Sequence, residues 1–515
     1  MVSITNMNHE QARKFFLKNE SYCNLWLPPY FNFSNLLNNL SNEIWDNIDD
    51  HKIFFKDNNN DNSPKNFENV NYSIMINKDG KYWWRKIQFI NPVLYVILVH
   101  YLTKEDNWNI IVNKINSFNN DHIICTSRPN ESDSNESDKW ENIKNWLHHH
   151  EEYWLELSLD FPYLIKTDIS WCYNSIYTHS ISRVFDGIDK TKIAKKSPES
   201  KKQLFWHFID EYLMSMSYWQ TNWIPEWSIL MDFLAELVLW FIDSLLLENI
   251  KEKYPQWNYK IVRFRDDYNI FIDNLEFWDF IIKQLSTILS NMRMKLNENK
   301  TIITNNVIWW IIKRDKIQRF IDFVWLSNLD DDNVKYINNI KKELLIINKF
   351  SEDYPNSGSL YDILDKFSKK LDINRINQFT DVKVLIAISI NIAYNSPRLY
   401  PSIFKIISIL LKKIANTDEK NEIFHSMFNK LSRLPKSEYL NLRIQRIWHK
   451  YWIKLYNEDD LLCKIVDENA CDIWNNEWLE EKYTNIINST PIIDKTVLED
   501  ISDEIQDDEI KPFLY

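Results

Sequence analysis

Two acidic stretches of the sequence carry the residues best suited to chemistry. Tyr163-Leu164-Ile165 is an apolar, β-prone run that predicts a strand ending at Asp168, with a helix after it. Asp266 and Asp267 lie in a polar turn between two β-prone runs, which predicts a hairpin with both acids at its tip. Carboxylates in such places can bind divalent metals through oxygen. Side by side, the two segments could hold two Mg²⁺ ions about 3.5–4 Å apart, the geometry of nucleotidyl transfer.

Four motifs around these acids resemble the reverse transcriptase family. Asp168 matches the metal-binding aspartate of motif A, and Phe264-Arg265-Asp266-Asp267 matches motif C, usually Tyr-x-Asp-Asp. Residues 219–228 occupy the place of motif B, which normally reads Gly-x-Pro-Gln-Gly. Asn297-Glu298-Asn299-Lys300-Thr301 matches the Asn-x-x-Lys-Thr ending of motif D. An acidic pair alone usually lies on a solvated turn, but four motifs in the correct order and spacing argue against that interpretation.

The resemblance implies a polymerase site with two Mg²⁺ ions, for which Mn²⁺ is an alternative. Asp168, Asp266 and Asp267 would be the metal ligands. Ile169, beside Asp168, is assigned with them to metal and nucleotide contact. Lys300 would neutralise or protonate the leaving phosphates.

Further residues are candidates for contact with the nucleotide or the template. Tyr173 lies five residues after Asp168, in the place of the family's aromatic steric gate, which implies dNTPs rather than rNTPs as substrates. Gln220 and Glu226 belong to the motif B segment, where Glu226 departs from the usual glutamine. Arg85 is equally well explained as a phosphate contact or as a surface arginine. Arg128 is a weaker candidate for the same role.

Other stretches resemble one subgroup of the family. Residues 175–181 and 231–236 are typical of reverse transcriptases from bacterial abortive-infection and defence systems. Together with residues 15–31, they are most similar to the b-type enzyme of the class 3 defence-associated reverse transcriptase system. This resemblance implies antiviral DNA synthesis, a companion reverse transcriptase, a noncoding RNA and an oligomeric complex. An RNA template and synthesis without a conventional template both remain open, and the rival function is an idle subunit that binds RNA or a partner.

The fold implied is α+β, with the fingers and palm of a right-hand polymerase, an antiparallel sheet with helices, over residues 1–330. Apolar residues at helical spacing recur from residue 333 onwards and predict an all-α C-terminal domain over 331–485, in the thumb position. Residues 486–515 are predicted to be a loosely ordered acidic tail.

The composition predicts a cytoplasmic protein without membrane segments. The N-terminus lacks a signal-peptide pattern, and the apolar runs are too short to cross a bilayer. The five cysteines show no zinc-binding spacing, so they are expected to be reduced thiols. The net charge of −12 argues against broad, non-specific duplex binding, although a polymerase needs only a local basic channel.

The chain contains 3 glycines and 23 tryptophans, whereas average usage would give about 36 glycines. Trp223 and Trp227 stand where motif B carries glycine. We hypothesise that many tryptophan codons are UGA, which some bacterial lineages read as glycine and others as tryptophan. The alternative is that Trp219, Trp223 and Trp227 are genuine and form a helical i, i+4 stripe, which Pro225 disfavours.

Overall fold

The computed structural model describes most of the chain. The described residues are 2–45, 51–58, 60–78, 83–132, 138–186, 206–323, 333–371, 373–376, 378–434, 438–449, 460–468 and 472–510. The strands in these ranges are β1 (Val2–Ser3), β2 (Tyr72–Asn77), β3 (Trp84–Phe89), β4 (Ile123–Cys125), β5 (Asn130–Glu131), β6 (Tyr163–Ser170), β7 (Tyr259–Phe264), β8 (Asp267–Ile272), β9 (Lys295–Leu296) and β10 (Ile302–Thr304).

The α-helices of the N-terminal two thirds surround these strands. They are α1 (His9–Phe16), α2 (Asn19–Tyr22), α3 (Ser34–Ile44), α4 (Pro92–Leu102), α5 (Glu105–Ser117), α6 (Asp138–Asp160), α7 (Cys172–Ser175), α8 (Thr178–Asp186), α9 (His207–Ser215), α10 (Ile229–Lys253), α11 (Glu276–Asn291), α12 (Val307–Ile311) and α13 (Arg314–Phe323).

The remaining part of the described chain is helical. Its helices are α14 (Asn333–Asp353), α15 (Gly358–Lys370), α16 (Phe379–Asn395), α17 (Tyr400–Lys412), α18 (Thr417–Leu431), α19 (Glu438–Trp448), α20 (Leu461–Glu468), α21 (Glu481–Ser489) and α22 (Lys495–Asp500). The fold is therefore mixed helix and sheet with a helical C-terminal region, as predicted. None of the described helices has both the length and the apolarity that crossing a membrane requires.

The central sheet has the strand order β10-β6-β8-β7-β4, and β9 pairs with the end of β6. Its middle strands are apolar because helices cover them; Leu164 and Ile165 of β6 and Ile270 of β8 are fully buried. The pairs β10–β6, β6–β8 and β7–β8 are antiparallel, but β4 and β7 are parallel, so the prediction of an antiparallel sheet is wrong at this edge. β4 and β7 are far apart in the chain, so no hairpin turn forces them to run in opposite directions.

A second, two-stranded sheet pairs β2 with β3, with Ile74 opposite Ile87. β3 leads into α4, whose first turn is capped by the Asn91 side chain and contains a proline. Almost every residue of α4 is buried. This explains why its sequence is apolar all round rather than amphipathic.

The segment after α20 packs against the N-terminal region. Phe31 bridges to Ile493, and Trp474 Nε1 donates to the Phe89 carbonyl at 3.2 Å. Arg446 binds both carboxylate oxygens of Glu509, at 2.6 and 2.8 Å, in a buried ion pair. The prediction of a loosely ordered tail is therefore wrong for residues 486–510. The acidic composition of this segment predicted neither its apolar contacts nor the buried arginine that neutralises Glu509. The domain boundaries at residues 330 and 485 stay a prediction.

Candidate active site

Strand pairing brings the three predicted acids together. Asp168 on β6 lies directly opposite Asp267 on β8. Phe264 pairs with Asp267, so Arg265 and Asp266 form the two-residue turn of the β7–β8 hairpin. The Ile169 amide donates to the Asp266 carbonyl at 3.1 Å, which fixes the turn against β6. The predicted hairpin is confirmed, but β6 continues to Ser170 instead of ending at Asp168, because its last residues pair with β9.

The three acids are close enough for their negative charges to act on one another. Burial, and then the charges of Asp267 and Asp168, raise the pKa of Asp266 to about 7. Burial and Asp168 also raise the pKa of Asp267. Asp168 Oδ1 is buried without a hydrogen-bond partner. A set of hard oxygen donors with unbalanced negative charge suits a cation such as Mg²⁺.

Lys300 is the cation that the structure places at this cluster. Its ammonium donates to Asp168 Oδ2, and the Asn297 amide donates to the Asp168 carbonyl at 2.8 Å. Burial lowers the pKa of Lys300, but the hydrogen bond and the charge of Asp168 outweigh it and raise that pKa overall. In the described ranges, no group of three or more His, Cys, Asp or Glu side chains is arranged to hold a metal ion. The carboxylates are of the chemical type that binds Mg²⁺, but Lys300 is hydrogen-bonded to Asp168 Oδ2, one of the oxygens that a metal ion would need.

Tyr173, the predicted steric gate, is held by an acid that sequence analysis did not identify as functional. Its hydroxyl donates to Asp232 Oδ1 at 2.5 Å. The other oxygen of Asp232 accepts from Arg265 Nη2 at 2.7 Å. Asp232 therefore ties α7 and the acidic turn to the first turn of α10. A nearly buried acid in an apolar helix is the signal that could have pointed to it.

Beneath the acidic turn lies a buried arginine. Arg263 Nε donates to Asp243 at 2.8 Å, and its Nη1 donates to Glu236 at 3.0 Å. The same Nη1 donates to the Arg265 carbonyl in the turn at 2.9 Å, and Nη2 contacts Cys125 Sγ at 3.4 Å. Arg263 therefore links the turn to both α10 and β4.

The structure places the remaining predicted contact residues differently. Arg85 and Glu226 lie together as an ion pair at 3.4 Å, and burial raises the pKa of Glu226. Arg128 instead donates to Asn119 at 2.9 Å. Gln220 is exposed on the motif B loop. Ile169 is 1% exposed, so its contact with the site is made by the backbone.

The motif B segment is not helical. The Trp223 amide donates to the Ile176 carbonyl at 2.9 Å, and Asn222 bridges to Tyr177, so the segment runs along the chain that follows motif A. The alternative of a helical tryptophan stripe is therefore wrong here. Pro225 and the hydrogen bonds to residues 176 and 177 explain why no helix forms.

No model of a known protein family matches the chain, and no curated protein sequence matches it. Among solved structures, telomerase of Candida tropicalis with the TWJ fragment of telomeric RNA has 13% identity and a TM-score of 0.30, covering 70% of this chain and 64% of its own. Apo telomerase of the same species has 13% identity and a TM-score of 0.32, with 68% of each chain covered. Candida albicans telomerase with that fragment has 12% identity and a TM-score of 0.24, with 53% and 51% covered. This chain spans less than two thirds of the first of them, and likeness at such TM-scores carries no conclusion about function.

Proposed function

We propose that the protein is a DNA polymerase of the reverse transcriptase type, which transfers nucleotides from dNTPs to a 3′-hydroxyl. The observation that carries the proposal is the meeting of Asp168, Asp266 and Asp267 on neighbouring antiparallel strands, nearly a hundred residues apart in sequence. Their excess negative charge, seen in the raised pKa of Asp266, supports binding of a divalent cation rather than a structural role.

Each residue of the site has a role in this proposal. Mg²⁺ or Mn²⁺ ions held by Asp168, Asp266 and Asp267 would activate the 3′-hydroxyl and neutralise the departing pyrophosphate. Lys300 is close enough to the acids to stabilise charge on the leaving phosphates. The Tyr173 ring, held through its hydroxyl by Asp232, would exclude a ribose 2′-hydroxyl.

The biological setting is proposed on the motif resemblance. Antiviral defence, a companion reverse transcriptase, a noncoding RNA and an oligomeric complex belong to this part of the proposal. The template is RNA, or synthesis proceeds without a conventional template. Sequencing of the DNA product, made with and without added RNA, separates these two modes.

Incorporation of labelled dNTPs by the native protein tests the proposed function. We expect Mg²⁺-dependent incorporation that an Asp267→Asn variant loses by at least about 10³-fold, since several kcal/mol of transition-state stabilisation depend on the acids. Incorporation that survives this substitution would exclude the site. Absence of incorporation together with tight RNA binding would favour the idle binding subunit.

Replacement of Lys300 with methionine is expected to tighten Mg²⁺ binding and slow incorporation. The ammonium competes with any cation for Asp168 Oδ2, but the lysine side chain is 61% exposed, so the change in apparent Kd should be about fivefold or less. Thermal stabilisation across a Mg²⁺ titration measures the Kd without relying on activity. Lys295→Met is the matched control, since Lys295 on β9 pairs with Glu298 instead. Unchanged or weaker Mg²⁺ binding by Lys300→Met would contradict the competition.

A further inference from the structure

Tryptophan is unusually frequent among the residues with left-handed backbone angles. In the described part of the chain, ten residues other than glycine have positive φ, and three of these are Asn or Asp, which tolerate it. Four of the ten are tryptophans: Trp171 (52°), Trp219 (62°), Trp223 (119°) and Trp227 (77°). For a bulky side chain such an angle is a genuine outlier, because Cβ approaches the backbone carbonyl, whereas glycine adopts it freely.

Backbone hydrogen bonds around these four residues fix their conformation without involving the indoles. The Trp219 amide donates to the Met214 carbonyl at 2.9 Å, where the chain leaves α9. The Trp171 carbonyl accepts from Ser175 at 2.8 Å. The Trp227 carbonyl accepts from Asn24 at 2.8 Å, just before α10 begins. The turns are therefore required by the chain path, and glycine is the residue that fits them.

Two buried tryptophans of the core, Trp108 and Trp474, behave differently. Trp108 is 2% exposed, and its indole donates to the Met7 carbonyl at 2.8 Å. Trp474 is also buried and donates to Phe89. Neither has positive φ. Their indoles fill the core and satisfy a hydrogen bond, as genuine tryptophans do. By contrast, Trp171 and Trp219 are 61% and 45% exposed.

Two of the four indoles lie between β3 and the acid-bearing part of the fold. Trp171, three residues after Asp168, contacts Trp83 with 6.0 Å between ring centroids. The Trp223 ring lies 5.1 Å from Lys86 Nζ on β3. Neither of these two indoles is buried in the core.

We infer that the natural protein carries glycine at positions 171, 219, 223 and 227. The glycine assignment rests on backbone geometry and extends to Trp171, which motif comparison had not indicated.

Gene sequence and protein mass together test the glycine assignment. We expect UGA codons at these four positions and UGG codons at Trp108 and Trp474. We also expect native peptides that contain glycine at positions 171, 219, 223 and 227. A native peptide with intact tryptophan at any of the four overturns the assignment for that position. This result does not depend on any activity.

A stability comparison gives a second readout. The recombinant chain with all four tryptophans replaced by glycine should have a higher Tm than the recombinant chain that carries the four tryptophans, because positive φ no longer forces Cβ against the backbone. Trp309→Gly is the control: Trp309 is similarly exposed but lies within α12, where glycine should lower the Tm. A Tm that falls in the fourfold variant as it does in the control would overturn the assignment.

Discussion

Replacing Asp266 with asparagine is expected to abolish nucleotide incorporation and, at the same time, to stabilise the metal-free protein. Incorporation should fall by at least about 10³-fold, because the turn loses a charged oxygen donor that cation binding requires. The variant should be made in the background that the native protein carries at positions 171, 219, 223 and 227. Asparagine keeps the shape of the side chain, so the backbone turn between Phe264 and Asp267 should persist.

The gain in stability follows from the raised pKa of Asp266. Burial and repulsion by Asp267 and Asp168 raise this pKa to about 7, from about 4 in an unfolded chain. The folded protein therefore holds a proton that the unfolded chain releases, and its stability falls as the pH rises from about 4 to about 7. The difference between these two pKa values corresponds to about 4 kcal/mol of stability, which we reduce to about 2 kcal/mol because the carboxyl is partly exposed.

Denaturant unfolding at pH 4 and pH 8, without metal, measures this difference. Asp266→Asn should match the parent near pH 4 and exceed it at pH 8. Asp273→Asn is the control, since Asp273 is an exposed acid that follows β8 at the opposite end of the same hairpin. A variant that is less stable than the parent at pH 8 would show that the Asp266 carboxylate is stabilising, contrary to the excess charge inferred here. Saturating Mg²⁺ should make the parent more stable than Asp266→Asn at pH 8, because only the parent binds the ion.

The parts of the site that the sequence predicts correctly are those determined locally. Alternating apolar residues and a two-residue turn determine the β7–β8 register, so Asp266 and Asp267 had to lie at the hairpin tip. The Asn297–Thr301 motif likewise identified Lys300, which lies beside Asp168. Proline at 225 correctly argued against a helix in motif B.

The parts that the sequence does not predict depend on long-range packing. Asp232 reaches the acidic turn, and Arg263 meets Glu236 and Asp243, only because α10 packs against the hairpin, and no spacing within either segment encodes that. The parallel β4–β7 pair is a further case, since an edge strand can pair in either direction. The acidic composition of residues 486–515 predicts a loosely ordered tail, yet Glu509 binds a buried arginine from α19.

Arg263 provides the second large effect. Arg263→Met is expected to destabilise the protein by about 3–5 kcal/mol, because Glu236 and Asp243 would remain buried without their cation. The Arg265 carbonyl would also lose a donor, so the acidic turn should become less well ordered and incorporation should fall in the protein that remains folded. Equilibrium unfolding with the incorporation assay on the same samples measures both consequences.

The pH dependence of the unfolding free energy identifies why the Arg263→Met variant is less stable. Burial already raises the pKa of Asp243 despite the neighbouring Arg263, and removal of the arginine should raise it further. The folded variant would then bind a proton that the unfolded chain releases, so its loss of stability relative to the parent should grow from pH 5 to pH 8.

Combining Arg263→Met with Glu236→Gln and Asp243→Asn should recover much of the stability, because no buried charge is left unpaired. Lys260→Met, on the opposite face of β7, should change stability by less than about 1 kcal/mol. A pH-independent deficit that the triple variant does not recover would mean that Arg263 acts through packing, and not as the counter-charge that supports the turn.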